Sequence, residues 1–279
     1  MSDPVVVFGG GGPSLHLAVG NGFPPEVYLP VVRPLIRQYS VFTLPPRPLW
    51  ESPPPPATLS SWQDLAMDLL AGLNQQSITS TIAMGHSFGA TVSLMAAAYA
   101  PERFRALILL DPALFAPERV AAMKRAQASG AYTNPLAERA VKRRSRFAST
   151  EEALRYWRGR PLFAGWPEAA LRLYAQSALE EDAEGRGLAL RWSPEWEARC
   201  YALAEPDTWP LLGALPPELP VLVVRGATSD VFTDSAAAHL RVVRPQTALV
   251  KLEGGHLFPM TLPAETAAVV LQWLTAQRL

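Results

Sequence analysis

Short apolar runs rich in β-branched residues alternate along this chain with longer amphipathic stretches. The runs Val5–Phe8, Leu15–Val19, Ser40–Leu44, Thr79–Met84, Ala106–Leu110, Leu219–Arg225 and Ala248–Leu252 predict strands. Several lack polar alternation, as strands covered on both faces of a parallel sheet do. Between them the period lengthens. Ser61, with Asp64 three residues on, signals a helix start, and Trp62, Leu65, Leu69 and Leu73 form the apolar stripe that follows. An alanine-rich stretch runs from Ser87 to Tyr99 and stops before Pro101. Leu262–Gln277 predicts a closing helix with Pro263 in its first turn. Strand and helix in alternation predict an α/β fold with a doubly wound, mostly parallel sheet.

The rhythm breaks between Pro112 and Leu219. Helices are predicted there over Val120–Ala126, Leu136–Arg146, Glu151–Trp157, Pro167–Ala178 and Pro194–Leu203, with no convincing strand. The span carries Trp157, Trp166, Trp192, Trp196 and Trp209, five of the eight tryptophans. It reads as a helical insertion over one edge of the sheet. The expected division is a core domain of residues 1–112 and 219–279 and an inserted segment of residues 113–218. The basic run Lys142–Arg146 reads as a solvated helix face.

Bulk properties narrow the partners. With 25 basic and 25 acidic residues the 279-residue chain has a formal charge of zero, so nothing electrostatic favours nucleic acid or an anionic membrane. The single cysteine, Cys200, rules out an internal disulfide and a cysteine-rich metal site. Met1–Pro4 lacks a basic leader, Val5–Phe8 is too short for a signal peptide, and no run reaches membrane-spanning length. The expectation is a cytoplasmic protein acting on a small molecule, as a monomer or homodimer, with no membrane or nucleic-acid partner.

The sharpest chemical signal is Gly85-His86-Ser87-Phe88-Gly89, set between an apolar strand and a helix rich in small residues. That context is the one a nucleophile elbow requires: a tight turn lifts the serine hydroxyl clear of the sheet and aims a helix N-terminus at it. His86 adjoins Ser87 in sequence, so it is expected to help fix the elbow rather than act as base.

A serine hydroxyl needs a positioned general base. Of His16, His86, His239 and His256, the last lies in Glu253-Gly254-Gly255-His256, a turn after the final strand, and is the expected base. His16 and His239 read as structural. The acid that orients the imidazole follows a strand end in two places: Asp230, after the next-to-last strand, and Asp111, one strand earlier. Asp230 is preferred, Asp111 is the alternative because Asp111-Pro112 also suits a turn into the insertion, and Asp234 ranks third.

Taken together, GHSFG, RGATSD and GGH stand in the order found in the α/β-hydrolase superfamily, and the chain resembles that family along essentially its whole length. Asn21-Gly22-Phe23-Pro24 occupies the place of the family's His-Gly-x-Pro, with asparagine for histidine. The resemblance implies the α/β-hydrolase fold, with the backbone N–H groups of Phe23 and Phe88 as oxyanion-hole donors. It also implies that the insertion is a lid, or cap, over the pocket. Tyr28 and the cap residues Trp157 and Trp166 are candidate substrate contacts, with core packing the more ordinary role for each.

The implied activity is hydrolysis of a carboxylic ester, thioester or lactone of a small, largely apolar substrate through an acyl-enzyme, needing no metal or organic cofactor. The same triad also serves carbon–carbon bond and amide hydrolysis. A ligand-binding protein without turnover would share the fold.

Overall fold

The computed structural model describes residues 5–130, 132–182, 184–203 and 207–279. Met1–Pro4, read above for a leader, lie outside them. Among the described residues the strands are β1 (Val6–Gly9), β2 (Ser14–Ala18), β3 (Ser40–Thr43), β4 (Thr81–His86), β5 (Phe104–Leu110), β6 (Arg146–Phe147), β7 (Leu179–Glu181), β8 (Leu188–Leu190), β9 (Val221–Gly226) and β10 (Ala248–Leu252). Helices of the outer parts of the chain are α1 (Leu29–Leu35), α2 (Trp62–Gln75) and α3 (Phe88–Tyr99), then α10 (Asp234–Val243), α11 (Phe258–Thr261) and α12 (Pro263–Ala276). Between β5 and β9 run α4 (Pro117–Ala128), α5 (Pro135–Val141), α6 (Thr150–Arg158), α7 (Glu168–Ser177), α8 (Pro194–Ala202) and α9 (Trp209–Ala214).

The seven apolar runs make one sheet in the order β1-β3-β2-β4-β5-β9-β10. Every neighbouring pair is parallel except β1 against β3. The central strands β4 and β9 are buried at every position, which explains their lack of alternation. Strand order reverses between β2 and β4, so the loops leaving those two strands flank the crevice where open α/β sheets place ligands.

Local signals act as read. Ser61 and Asp64 form a reciprocal capping box at the start of α2. Helix α3 is buried along ten of its twelve residues, so its alanines serve close packing on β4 and β5.

Two expectations for the insertion are corrected. The segment expected to lack strands contains β6, β7 and β8, which pair as a small antiparallel sheet in the order β6-β8-β7. These strands are two or three residues long, too short for alternation to register in sequence. The basic run is not uniformly solvated. Arg143 turns inward, donating to Glu197 at 2.5 Å and to the Tyr174 hydroxyl, with a side chain 15% exposed.

Main-chain acceptors and side-chain donors bind the insertion to the sheet domain. Trp62 Nε1 donates to Cys200 O at 2.8 Å, Arg199 to Leu59 O, and Asn21 Nδ2 to Glu197 O at 3.0 Å. The insertion's own core is aromatic. Trp157, Phe163, Trp166 and Tyr174 pack with centroid separations of 4.9 to 6.0 Å. Phe23 reaches into this cluster from the loop after β2, 6.1 Å from Trp166 and 5.9 Å from Tyr174.

Candidate active site

Ser87 sits between β4 and α3 with φ 54° and ψ −119°, a backbone conformation unfavourable for an L-residue. The surroundings hold it there. Its N–H donates to Leu110 O at 2.9 Å, and its carbonyl accepts from Thr91 N–H at 3.2 Å. Gly89 lets the helix approach β2: a Cβ there would lie 2.5 Å from Ala18 O and nearer still to Val19 O.

The His256 ring reaches Ser87 from the loop after β10. Its Nε2 is 2.8 Å from Ser87 Oγ and its Nδ1 is 2.7 Å from Asp111 Oδ2. Asp111 Oδ1 accepts Gly226 N–H at 2.8 Å, and Oδ2 also accepts the Ser229 hydroxyl proton. With an acceptor at Nδ1, that nitrogen carries the proton, and Nε2 presents its lone pair to the serine hydroxyl. Asp111 is fully buried, and the His256 side chain is 22% exposed.

The preference for Asp230 is therefore corrected: Asp111 is the carboxylate on His256. Asp111 follows β5, which lies beside the nucleophile strand β4 and between it and β9. The His256 loop, leaving β10, passes the end of β9 and then that of β5 on its way to β4. The turn after β9 supplies Gly226 N–H and Ser229 O–H to Asp111, and this carries Asp230 outward to an exposed position at the rim of the pocket. Asp234 pairs with Arg225 instead.

The oxyanion donors fare differently. Phe88 is the first residue of α3, where a helix leaves its N–H groups without intrahelical partners. The Phe23 amide, expected to be open, donates to Gly20 O at 3.1 Å and closes a turn. Asn21, standing where relatives have histidine, is anchored by its bond to Glu197 O.

A cavity of about 420 Å³ opens over Ser87 and His256. Phe115, Leu162, Ala164 and Trp166 give it an apolar wall, while Asn21 and Tyr201 give it polar edges. Leu136 and Leu162, 42% and 48% exposed, also line it beside the exposed Arg119 and Asp230, so the rim mixes apolar and charged side chains. Of the candidate substrate contacts, Trp166 lines the cavity. Trp157 does not: it is buried among Phe147, Phe163 and Tyr174. Tyr28 is also core, with its hydroxyl bonded to His86 Nδ1 at 2.7 Å. His16 is buried on β2, its Nε2 accepting Leu44 N–H, and His239 packs edge-on against Trp209.

A family profile described as alpha/beta hydrolase fold matches residues 3–262. The chain belongs to the α/β-hydrolase family. Among solved α/β-hydrolase-like structures, E-2-(acetamidomethylene)succinate hydrolase is similar at 23% identity, with a TM-score of 0.77 over 97% of this chain and 94% of that one. The thioesterase domain from the curacin biosynthetic pathway matches at 18% identity and a TM-score of 0.72, covering 96% and 94%. The enol-lactonase from Burkholderia xenovorans LB400 matches at 19% and 0.66, covering 98% and 96%. At these identities the likeness is one of fold. No curated protein matches the sequence. No helix among the described residues is long and apolar enough to cross a membrane.

Sequence reasoning passed over Gly226, Ser229 and Glu197, and took Arg143 only as part of a solvated run. Ser229 stood beside a favoured residue and gave no signal of its own. Glu197 acts both through its backbone carbonyl, which accepts from Asn21, and through its carboxylate on Arg143, and neither long-range contact shows in a local pattern.

Proposed function

We propose that this α/β hydrolase cleaves a carboxylic ester, thioester or lactone of a small, largely apolar substrate, using Ser87 as nucleophile, His256 as base and Asp111 as orienting acid. One observation carries the reading: the His256 ring bridges Ser87 Oγ at 2.8 Å and Asp111 Oδ2 at 2.7 Å.

Ser87 Oγ attacks the substrate carbonyl carbon as its proton passes to His256 Nε2. The Phe88 N–H holds the developing oxyanion, where one fixed donor contributes about 3 kcal/mol. A second donor requires the Phe23 amide to share its hydrogen between Gly20 O and the oxyanion. Collapse expels the leaving alcohol or thiol, which takes the proton from His256. Water then attacks the acyl-enzyme, giving its proton to His256, and the acid departs as Ser87 regains its hydrogen. Residues 113–218 act as a cap that roofs the pocket, and its apolar wall supports acyl or alcohol groups of modest size.

The test joins active-site labelling to turnover. A fluorophosphonate should form a stable adduct on Ser87, read by mass spectrometry and absent from Ser87→Ala. p-Nitrophenyl esters of graded chain length, with lactones and thioesters alongside, should be hydrolysed by wild type and not by Ser87→Ala. Well-folded protein that neither labels nor turns over any of these would instead be a binding protein on a hydrolase fold.

A further inference from the structure

Behind the Ser87–His256–Asp111 constellation a second hydrogen-bond series runs through residues the chemistry does not touch. Gly20 N–H donates to Tyr28 Oη at 2.9 Å, Tyr28 Oη lies 2.7 Å from His86 Nδ1, and His86 Nε2 lies 3.0 Å from the carbonyl oxygen of His256. Its direction is forced from both ends. A backbone N–H can only donate and a carbonyl can only accept, so His86 carries its proton on Nε2 and takes the Tyr28 hydroxyl proton at Nδ1.

We propose that Tyr28 and His86 are positioning residues, which set the placement of the base by gripping the main chain of His256 while its acid holds the ring.

Three features separate this from ordinary core packing. First, the series joins loops that must keep register with one another: Gly20 opens the Asn21–Phe23 turn and accepts Phe23 N–H, His86 directly precedes the nucleophile, and His256 is the base. The Asp111 carboxylate fixes the ring through Nδ1, while His86 fixes the same residue through its carbonyl. Two anchors, one on the ring and one on the main chain, define where Nε2 stands relative to Ser87 Oγ.

Second, the fit at its origin is tight. A Cβ on Gly20 would come within 3.0 Å of His86 Nδ1 and 3.2 Å of Tyr28 Oη, so any side chain there would press directly on the two groups of the series. Third, the ring stays neutral. The His86 and His256 centroids are 5.0 Å apart, and a second cation there would oppose the charge His256 acquires when it takes the serine proton. The groups facing His86 are Tyr28, His256 and Asp111. Burial, and secondarily His256, depress His86 to about 3, while Asp111 and the bond to the His256 carbonyl act more weakly the other way. Tyr28, also buried, is pushed above the usual phenol range and remains a donor.

This rests on His256 being the base, and the experiment separates the two ideas. The rate of Ser87 phosphonylation per folded molecule should fall at least tenfold in His86→Leu. It should recover to within about threefold of wild type in His86→Gln, whose carboxamide can donate to the same carbonyl. Tyr28→Phe, the milder variant should His86→Leu fold poorly, should fall about three- to tenfold, an effect on the order of one lost hydrogen bond. In ¹⁵N-histidine spectra of wild type, His86 should remain the Nε2–H tautomer from about pH 5 to about pH 9. His86→Leu labelled as fast as wild type, a glutamine variant no better than leucine, or a ring in the Nδ1–H form would each overturn the proposal while leaving the nucleophile intact. Wild-type protein that does not label would sink the reading of Ser87 instead, and the His86 tautomer would then decide this chain by itself.

Discussion

Replacing Asp111 by asparagine tests the arrangement of the site most severely, because the substitution keeps volume and changes the sign of one hydrogen bond. Asp111 is enclosed and accepts three donors: Gly226 N–H, the Ser229 hydroxyl and His256 Nδ1–H. An asparagine can keep its carbonyl on Gly226, and Ser229 can rotate to accept, but its NH₂ then faces Nδ1. The imidazole must move its proton to Nε2, and that nitrogen then points an N–H at Ser87 Oγ where a lone pair is required. In a serine protease the equivalent tautomer error lowers turnover by about 10⁴, or about 5.4 kcal/mol of transition-state stabilisation. A loss on the order of 10⁴ in kcat is therefore expected for Asp111→Asn with the fold retained. Asp230→Asn, altering an exposed rim residue, should stay within a few-fold of wild type. The assay is p-nitrophenyl ester hydrolysis normalised to folded protein by circular dichroism. If Asp111→Asn retains more than a tenth of the activity, or Asp230→Asn loses as much as Asp111→Asn, the assignment of the acid is refuted.

Three further outcomes follow from packing and charge. Gly89→Ala should destabilise by several kcal/mol or prevent folding, since its Cβ would collide with the carbonyls of Ala18 and Val19; a thermal melt close to wild type would contradict the tight approach of α3 to β2. Glu197→Ala leaves the inward-facing Arg143 guanidinium without its carboxylate and should cost about 3 kcal/mol in urea unfolding, against little change for Arg143→Met combined with Glu197→Leu. His16 and His86 are both held to about 3 by burial, below the ordinary 6.5, so between those values the unfolded chain binds protons that the folded chain refuses. Their contribution is complete above the unfolded value and drains as pH falls toward the folded one, at about 2.7 kcal/mol per pH unit for the two together. Urea midpoints that do not move between about pH 6 and about pH 5 would contradict their burial in neutral form.

The seven main strands were legible because the inner ones, β4 and β9 above all, are buried on both faces and so read as unbroken apolar runs, while the half-buried edge strands β1 and β10 are still short, mostly apolar runs rich in valine and leucine. Ser87 and His256 were legible because each depends on a local device, a glycine-flanked turn and a glycine-rich loop, that sequence displays directly. The acid was not. Asp111 and Asp230 both follow strand ends, and what separates them is which strand lies beside β4 and where the β9 turn sends its N–H and hydroxyl. Those are facts of tertiary order, absent from any local window. Arg143 was misjudged for a related reason: among five consecutive polar residues, nothing but the partner at Glu197 distinguishes the inward one.

Phe23 has a mechanical consequence. It belongs to the loop after β2, yet its ring is lodged among Trp166 and Tyr174 of the insertion, while its neighbour Asn21 is tied to the main chain of α8. Moving residues 113–218 away as a hinged body would therefore draw this loop out of register with Ser87. For the hydrolase proposed above, passage of substrate and product then falls to single side chains such as Leu136 and Leu162, which line the same cavity, stand open to solvent and can turn aside while the aromatic wedge stays seated.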